Sequence, residues 1–338
     1  MVNLVRAAAL TNYAEVARHC GLDPVSLLRK HRMSLRLIAD PERRIPILPV
    51  LALLEESAQL ADCPSFGLRM AESRQLADMG DISLLLTHQR TLGDAVRTLI
   101  EYHDMRNPSV SLSIEQPGES VVVRSQLLSG GATHSVQGDE LVIGVLCRMC
   151  KSLLGAQWRP HRVQFSHAAS ADLRAHQRVF GCPVDFGREF NGLILNAADL
   201  ALVNPRGDPA MARFARRFLY SMPGAKKVQE HSIVLEVRKA IYLMLPAGRA
   251  TIEQIAQGMG VNLRTLQRHL EEDGVTFSGL LDEVRGELVL RYLEDRELSL
   301  ARIAQLLGYG TPSSFTRWFN AQYGMAPMAW RRTLTRTG

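Results

Sequence analysis

The sequence predicts an α+β N-terminal domain followed by an all-α C-terminal domain with two helix-turn-helix units joined by a long helix. Three observations carry this. Strand-like and helical segments alternate over the first two hundred residues. Downstream of Val228 the strand signals vanish and every segment has helical period. A single pattern then occurs twice within that helical region, as "TIEQIAQGMGVNLRTLQRHLEEDGVTF" (251–277) and "SLARIAQLLGYGTPSSFTRWFNAQYGMAP" (299–327).

The elements follow in chain order. "YAEVARHCGLDPVSLLRKH" (13–31) has the look of a helix-turn-helix on its own, and we read it as packing helices of the first domain. "TLGDAVRTLIEYHDM" places Thr91 three residues before Asp94, an N-cap signature ahead of an amphipathic helix. "VSLSIEQPGESVVVRSQLL" gives two β-rich runs around a Gln116–Glu119 turn. "DELVIGVLCRMCKSLLG" reads as a buried helix. "HRVQFSHA" and "NGLILN" read as strands, with a helix between them closed by Gly181. Pro205, Gly207 and Pro209 then break regular structure ahead of a basic amphipathic helix, "MARFARRFLY", and "SMPGAKK" breaks it again. The expected organisation is a first domain at 1–204, a linker region at 205–227 and a second domain at 228–338. The two repeated units fall at 251–273 and 299–322.

Length and composition bound the reading. At roughly 150 residues per domain, 338 residues suggest two domains. A hydrophobic fraction of 46% beside 22% charged residues is that of an ordinary globular chain. No apolar run reaches the roughly 18 residues that span a bilayer, so no membrane partner is expected. The N-terminus lacks the pattern of a signal peptide, and the expected location is the cytoplasm, on the nucleoid. The five cysteines are scattered and odd in number, which argues against a disulfide framework. Cys147 and Cys150 form a lone C-x-x-C without a second ligand pair, and read as small core side chains rather than a metal site. His103, His134 and His167 show no metal-ligand spacing. No cofactor, metal or catalytic residue is expected. The net charge of +6 permits a nucleic-acid partner. From Lys226 onward, however, 15 Lys and Arg face 12 Asp and Glu, so placement must decide rather than bulk charge.

The repeat has a physical reading. Ile255-Ala256-Gln257 matches Ile303-Ala304-Gln305, and Gly260 matches Gly308. After one inserted residue, Leu266, Arg268 and Leu270 match Phe315, Arg317 and Phe319. Thr251 and Ser299 are suited to cap a short helix, with Ile and Ala facing inward. Gly260 and Gly308 sit where the chain must turn with positive φ. Asn262 caps the next helix in the first unit. In the second, Thr311 caps it and Pro312 occupies the first turn. Helix, tight turn, helix is the arrangement whose second helix enters the DNA major groove. In the first unit the side chains off the apolar stripe are Arg264, Thr265, Gln267 and Arg268. In the second they are Ser313, Ser314, Thr316 and Arg317. Arg suits guanine and Gln suits adenine through paired hydrogen bonds. Ser and Thr suit bases or phosphates, so the second helix is the poorer base reader and contributes more to positioning.

"IAQLLGYGTPSSFTRWFNAQYGMAP" resembles the C-terminal signature of AraC/XylS-type transcription regulators. The matching residues are Ile303, Ala304, Gly308, Tyr309, Ser313, Phe315, Arg317, Phe319, Gly324 and Pro327. The first unit is similar to the family's more variable first motif. The resemblance implies base-contacting residues on both second helices, falling at Arg264, Gln267 and Arg268 and at Pro312, Ser313, Thr316 and Arg317. Many relatives carry larger polar side chains near Pro312 and Ser313. Residues 161–200 resemble a subgroup whose N-terminal domain is called arabinose-binding-like, which implies an effector-sensing or dimerising domain. The expected function is sequence-specific, effector-controlled transcription regulation. Double-stranded DNA and a small-molecule effector are the expected partners, with RNA polymerase and a second copy of the chain as further candidates. The alternative is a constitutive regulator whose first domain only dimerises. An enzyme fused to a DNA-binding domain is disfavoured. The chain lacks G-x-S-x-G, a phosphate-cradling Gly loop, paired catalytic carboxylates and the Pro-Cys-His-Arg run of the DNA-repair methyltransferases found in some AraC-type proteins.

Overall fold

The computed structural model describes residues 4–106, 109–128, 135–221, 233–248, 250–294 and 298–334. They form two compact units, one up to residue 221 and one from residue 233 on. His134 lies outside the described residues, as does the side chain of His103.

The first unit opens with strand β1 (Leu4–Arg6), helices α1 (Tyr13–His19), α2 (Pro24–Lys30) and α3 (Leu35–Ile38), strand β2 (Arg44–Pro46), and helices α4 (Ile47–Leu60) and α5 (Phe66–Glu72). β1 and β2 pair antiparallel. These helices bury Tyr13, Leu28, Leu53, Leu54 and Phe66 in one core. Thus the segment 13–31 is two packing helices of this unit. Helices α6 (Ile82–Thr87) and α7 (Leu92–Arg106) lead to strands β3 (Val110–Glu115) and β4 (Ser120–Leu127). Thr91 caps α7, its Oγ1 accepting from the Asp94 N–H at 3.1 Å. β3 and β4 form the expected hairpin, with Leu112 opposite Ser125.

Helix α8 (Val136–Leu154) is the central rod. It crosses α5 so closely that a Cβ on Gly67 would sit 2.1 Å from the Gln137 carbonyl oxygen. Strand β5 (Arg162–Gln164), helix α9 (Arg174–Phe180), and strands β6 (Val184–Asp185) and β7 (Asn191–Asn196) complete a five-stranded sheet of order β3-β4-β7-β5-β6. β5 and β6 run parallel, and the other pairs are antiparallel. Alternate residues Val121, Val123, Leu193 and Leu195 point to a second core shared with α7, α8 and α9. Cys147 and Cys150 lie in that core. Desolvation pushes the Cys147 thiol up to about 12 and raises Cys150 well above the usual thiol range. Among the described residues no group of three or more His, Cys, Asp or Glu is placed to hold a metal. His167 is buried, its Nδ1 2.9 Å from the Ala168 carbonyl oxygen. Nearby, His176 Nε2 meets the buried Glu140 Oε1 at 2.8 Å, a pairing across 36 residues that sequence reading missed.

The region 205–227 was expected to be a linker, and this needs correcting. Residues 209–221 form helix α10 (Pro209–Ser221), which packs on α6 and buries Ala215 and Leu219 in the second core. Pro and Gly mark a local break, and the apolar face of the helix that follows still belongs to the first unit. Residues 222–227 lie outside the described ones.

The second unit is all helix: α11 (Ile233–Met244), α12 (Ile252–Gly258), α13 (Leu263–Glu272), α14 (Phe277–Glu294), α15 (Leu300–Leu306), α16 (Pro312–Tyr323) and α17 (Pro327–Leu334). α11 packs against α12, α13 and α14, and α14 packs against α15 and α17. Arg238 on α11 ties to α14 by ion pairs with Glu283, at 2.7 Å, and Glu287. Among the described residues no helix is long and apolar enough to cross a membrane.

Candidate nucleic-acid interface

The two repeated segments fold by the same local bonds. Thr251 Oγ1 accepts from the Gln254 N–H, and Ser299 Oγ accepts from the Arg302 N–H. Each satisfies an amide that the first helical turn would leave unpaired. Ile255 and Ala256 are buried at the crossing with the next helix, as are Ile303 and Ala304.

The turns agree bond for bond. Met259 N–H donates to Ile255 C=O at 2.9 Å, and Leu307 to Ile303 at 3.0 Å. Gly260 donates to Gln257 at 3.1 Å, and Gly308 to Gln305 at 3.0 Å. Val261 donates to Ala256 at 3.0 Å, and Tyr309 to Ala304 at 2.8 Å. Gly260 and Gly308 stand at φ 68° and 71°, the left-handed conformation that costs a glycine nothing. Asn262 Oδ1 then accepts from Thr265 N–H at 2.8 Å, and Thr311 Oγ1 from Ser314 N–H at 3.2 Å. α13 buries Leu266 and Leu270, and α16 buries Phe315 and Phe319 at the matching positions.

The remaining faces carry the residues singled out in the sequence. On α13, Arg264, Gln267 and Arg268 are exposed and Thr265 is half-buried. Arg268 Nε stands 3.6 Å from Glu272, both side chains being well exposed. A surface pair of this kind is worth only about 0.3–0.5 kcal/mol and leaves the guanidinium available. Arg264 makes no ion pair among the described residues. On α16, Pro312, Ser313 and Arg317 are exposed and Thr316 is half-buried. Arg317 also makes no ion pair among the described residues. The hydroxyls are less free. Thr316 Oγ1 donates to the Pro312 carbonyl at 2.9 Å, leaving only acceptor capacity outward. Thr311 Oγ1 lies 3.1 Å from Ser313 Oγ and 2.9 Å from Ser314 Oγ, so these three hydroxyls bond among themselves at the helix start.

Sequence reading missed what holds the second turn in place. Arg285, in mid-α14, donates through Nε to the Leu307 carbonyl at 3.0 Å and lies 4.3 Å over the Tyr309 ring. Arg331 on α17 donates to the Leu293 carbonyl at 3.1 Å and the Leu298 carbonyl at 2.9 Å. Tyr323 Oη donates to Gly286 at 3.1 Å. These residues carry no motif, because their partners are 22 to 38 positions away.

An α+β domain followed in the chain by a helical helix-turn-helix region defines the class of helix-turn-helix transcription regulators. Family comparison narrows it. Residues 21–204 match the arabinose-binding domain of AraC transcription regulator (N-term), and residues 255–333 match a helix-turn-helix domain. The chain belongs to the AraC family of DNA-binding transcription regulators. It is similar to the HTH-type transcriptional regulator VirS of Mycobacterium tuberculosis, with 29% identity over 337 residues, covering 97% of this chain and 96% of that one. It is also similar to the ornithine utilization regulator of Pseudomonas aeruginosa, with 24% identity over 331 residues and the same coverage. Among solved structures it resembles the transcriptional regulator CdpR of P. aeruginosa, at TM-score 0.41 and 21% identity, covering 91% of this chain and 96% of that one. These families and relatives are transcription regulators, not enzymes.

Proposed function

We propose that the chain reads a bipartite DNA site with α13 and α16 and that a small molecule bound to the first unit controls this reading. The observation that carries the DNA reading is the pair of matched turns, which leave Arg264, Gln267, Arg268 and Arg317 exposed on the second helix of each unit. Arg264, Gln267 and Arg268 read bases, with Thr265 beside them. Pro312, Ser313, Thr316 and Arg317 mainly position the protein, since the hydroxyls of Ser313 and Thr316 are already engaged. The long helix α14 joins the two units and fixes their spacing. In domain terms, 1–204 together with α10 is the effector-binding unit and 228–338 the DNA-binding unit. A cavity in the first unit supports effector control, and such control requires the ligand to favour one state by differential affinity.

The test is to sequence genomic fragments retained by the purified protein and by an Arg268→Ala, Arg317→Ala double variant at physiological salt. Two half-sites about one helical turn apart, roughly 34 Å, lost in the variant, are expected. Diffuse and equal retention by both proteins refutes the reading and leaves charge-driven binding.

A second reading, dimerisation through the first unit, has its own observation. On α10, Met211 and Phe214 expose apolar surface, and Phe214 stacks on Phe218 with centroids 6.5 Å apart. Sedimentation of the wild type and of Phe214→Ser distinguishes a dimer on this face from a monomer. RNA polymerase is the further partner that activation would require.

A further inference from the structure

The first unit contains a cavity of about 160 Å³ that the DNA-reading machinery does not use. It lies where the two cores meet. Leu141 on its wall belongs to the core around α1–α5, whereas Ile82, Leu99 and Leu146 belong to the core under the sheet. Its polar side chains are Arg6, Arg74, Gln75 and Asp78. Of the lining residues only Gln75 is exposed.

The two arginines differ. Arg6 is balanced by an ion pair with Glu42. Arg74 is 5% exposed and makes no ion pair among the described residues. Its two terminal nitrogens donate to the Ala8 and Ala9 carbonyls, and its Nε is buried with no hydrogen-bond partner. Asp78 is near enough to favour the charged form, but its Oδ2 already accepts the Gln75 N–H at 2.8 Å. Burial outweighs it and pulls the Arg74 guanidinium down to about 10. An arginine nonetheless stays charged at neutral pH, and a buried charge without a counter-ion is costly.

We infer that this cavity binds an apolar monocarboxylate with a body of about one six-membered ring, its carboxylate on Arg74 and its body against Leu99, Leu141, Val145 and Leu146. The charge follows from Arg74, since a carboxylate would supply the close ion-pair partner that no described residue provides. The size follows from the volume, since an apolar cavity of about 150 Å³ accommodates benzene. The apolar body follows from the wall. A sugar would bury hydroxyls against Leu99, Leu141, Val145 and Leu146, which offer them no hydrogen bonds. That this ligand is the effector rests on the function proposed above, whereas its binding does not.

The experiment titrates the full-length protein with benzoate and cyclohexanecarboxylate, and with benzyl alcohol and cyclohexanemethanol as neutral counterparts of similar shape. Calorimetry and thermal unfolding are the readouts. Single-site saturation by at least one carboxylate in the millimolar range or tighter is expected, at roughly tenfold higher affinity than its alcohol. Arg74→Gln abolishes that preference. Because Arg74 also ties down the Ala8 and Ala9 carbonyls, Val145→Phe provides a second arm, filling the cavity while keeping the charge and losing the ligand. Equal affinity for acid and alcohol overturns the inference, as does undiminished binding to Val145→Phe or no response to either carboxylate. DNA retention is measured on the same samples. If a carboxylate binds and retention is unchanged, the site stands and effector control fails. If nothing binds while specific retention persists, the cavity assignment fails and the DNA reading stands.

Discussion

Arg285 and Leu307 meet across 22 residues, the guanidinium Nε of one donating at 3.0 Å to the carbonyl of the other. Leu307 is the C-cap of α15, so this bond satisfies a carbonyl at the turn into α16. The same guanidinium covers the Tyr309 ring and reaches Asp282 at 3.3 Å. One side chain thereby fixes the turn of the second unit to α14.

Arg285→Ala should therefore destabilise the second unit by about 1–3 kcal/mol, the range for losing a partner to a buried polar group. Arg285→Lys should recover only some of this, because an ammonium lacks the flat fork that bonds and stacks at once. Denaturant unfolding checks both. Wild-type stability in Arg285→Ala would show that the contact contributes nothing.

The glycines of the two turns should respond unequally to alanine. Both hold positive φ, which costs an L-residue about 1–2 kcal/mol. A Cβ at Gly260 meets nothing within 4 Å, whereas one at Gly308 comes to 3.0 Å from Leu245 Cδ1. Gly308→Ala should thus lose at least as much stability as Gly260→Ala in urea titrations. The opposite order would mean that the Leu245 contact is attractive.

On the proposed function, α13 and α16 should separate by the kind of DNA they discriminate. Arg268→Ala should weaken specific binding by about 1–3 kcal/mol while leaving random DNA little affected. Arg317→Ala should weaken both alike and reduce the salt slope by about 1. Titrations on specific and scrambled duplexes at several salt concentrations distinguish them. A specific loss at Arg317 alone would reverse the assignment.

The core thiols give the first unit an alkaline liability. Cys147 titrates at about 12 when folded, against 9.0 for a free thiol. The folded state therefore keeps its proton where the unfolded state loses it, and stability falls as pH rises above 9. The slope approaches about 1.4 kcal/mol per pH unit for this group, and Cys150 shifts in the same direction. Cys147→Ala should flatten the decline between pH 9 and 11, once its own cavity cost is subtracted at pH 7. An unchanged slope would place the alkaline sensitivity elsewhere.

Much of this protein is local in origin and was legible as such. The caps Thr251, Asn262, Ser299 and Thr311 bond to amides three residues on, and the turn glycines close bonds within their own turns. A repeat of such signals survives in sequence because each involves only neighbours. The exposure of Arg264, Gln267, Arg268 and Arg317 followed from helical period alone.

The sequence by itself thus determined the two capped turns, the apolar stripes and the side chains left exposed on α13 and α16. The tertiary structure decided three other things. It assigned α10 to the first unit through Ala215 and Leu219, despite the prolines before it. It set Arg285 against a carbonyl 22 residues away. It also buried Arg74 beside a largely apolar cavity with no ion pair among the described residues. The physical reason is common to all three. Hydrogen bonds within a turn are specified by residues three or four apart, but burial and charge pairing depend on which distant surfaces the packed core brings together.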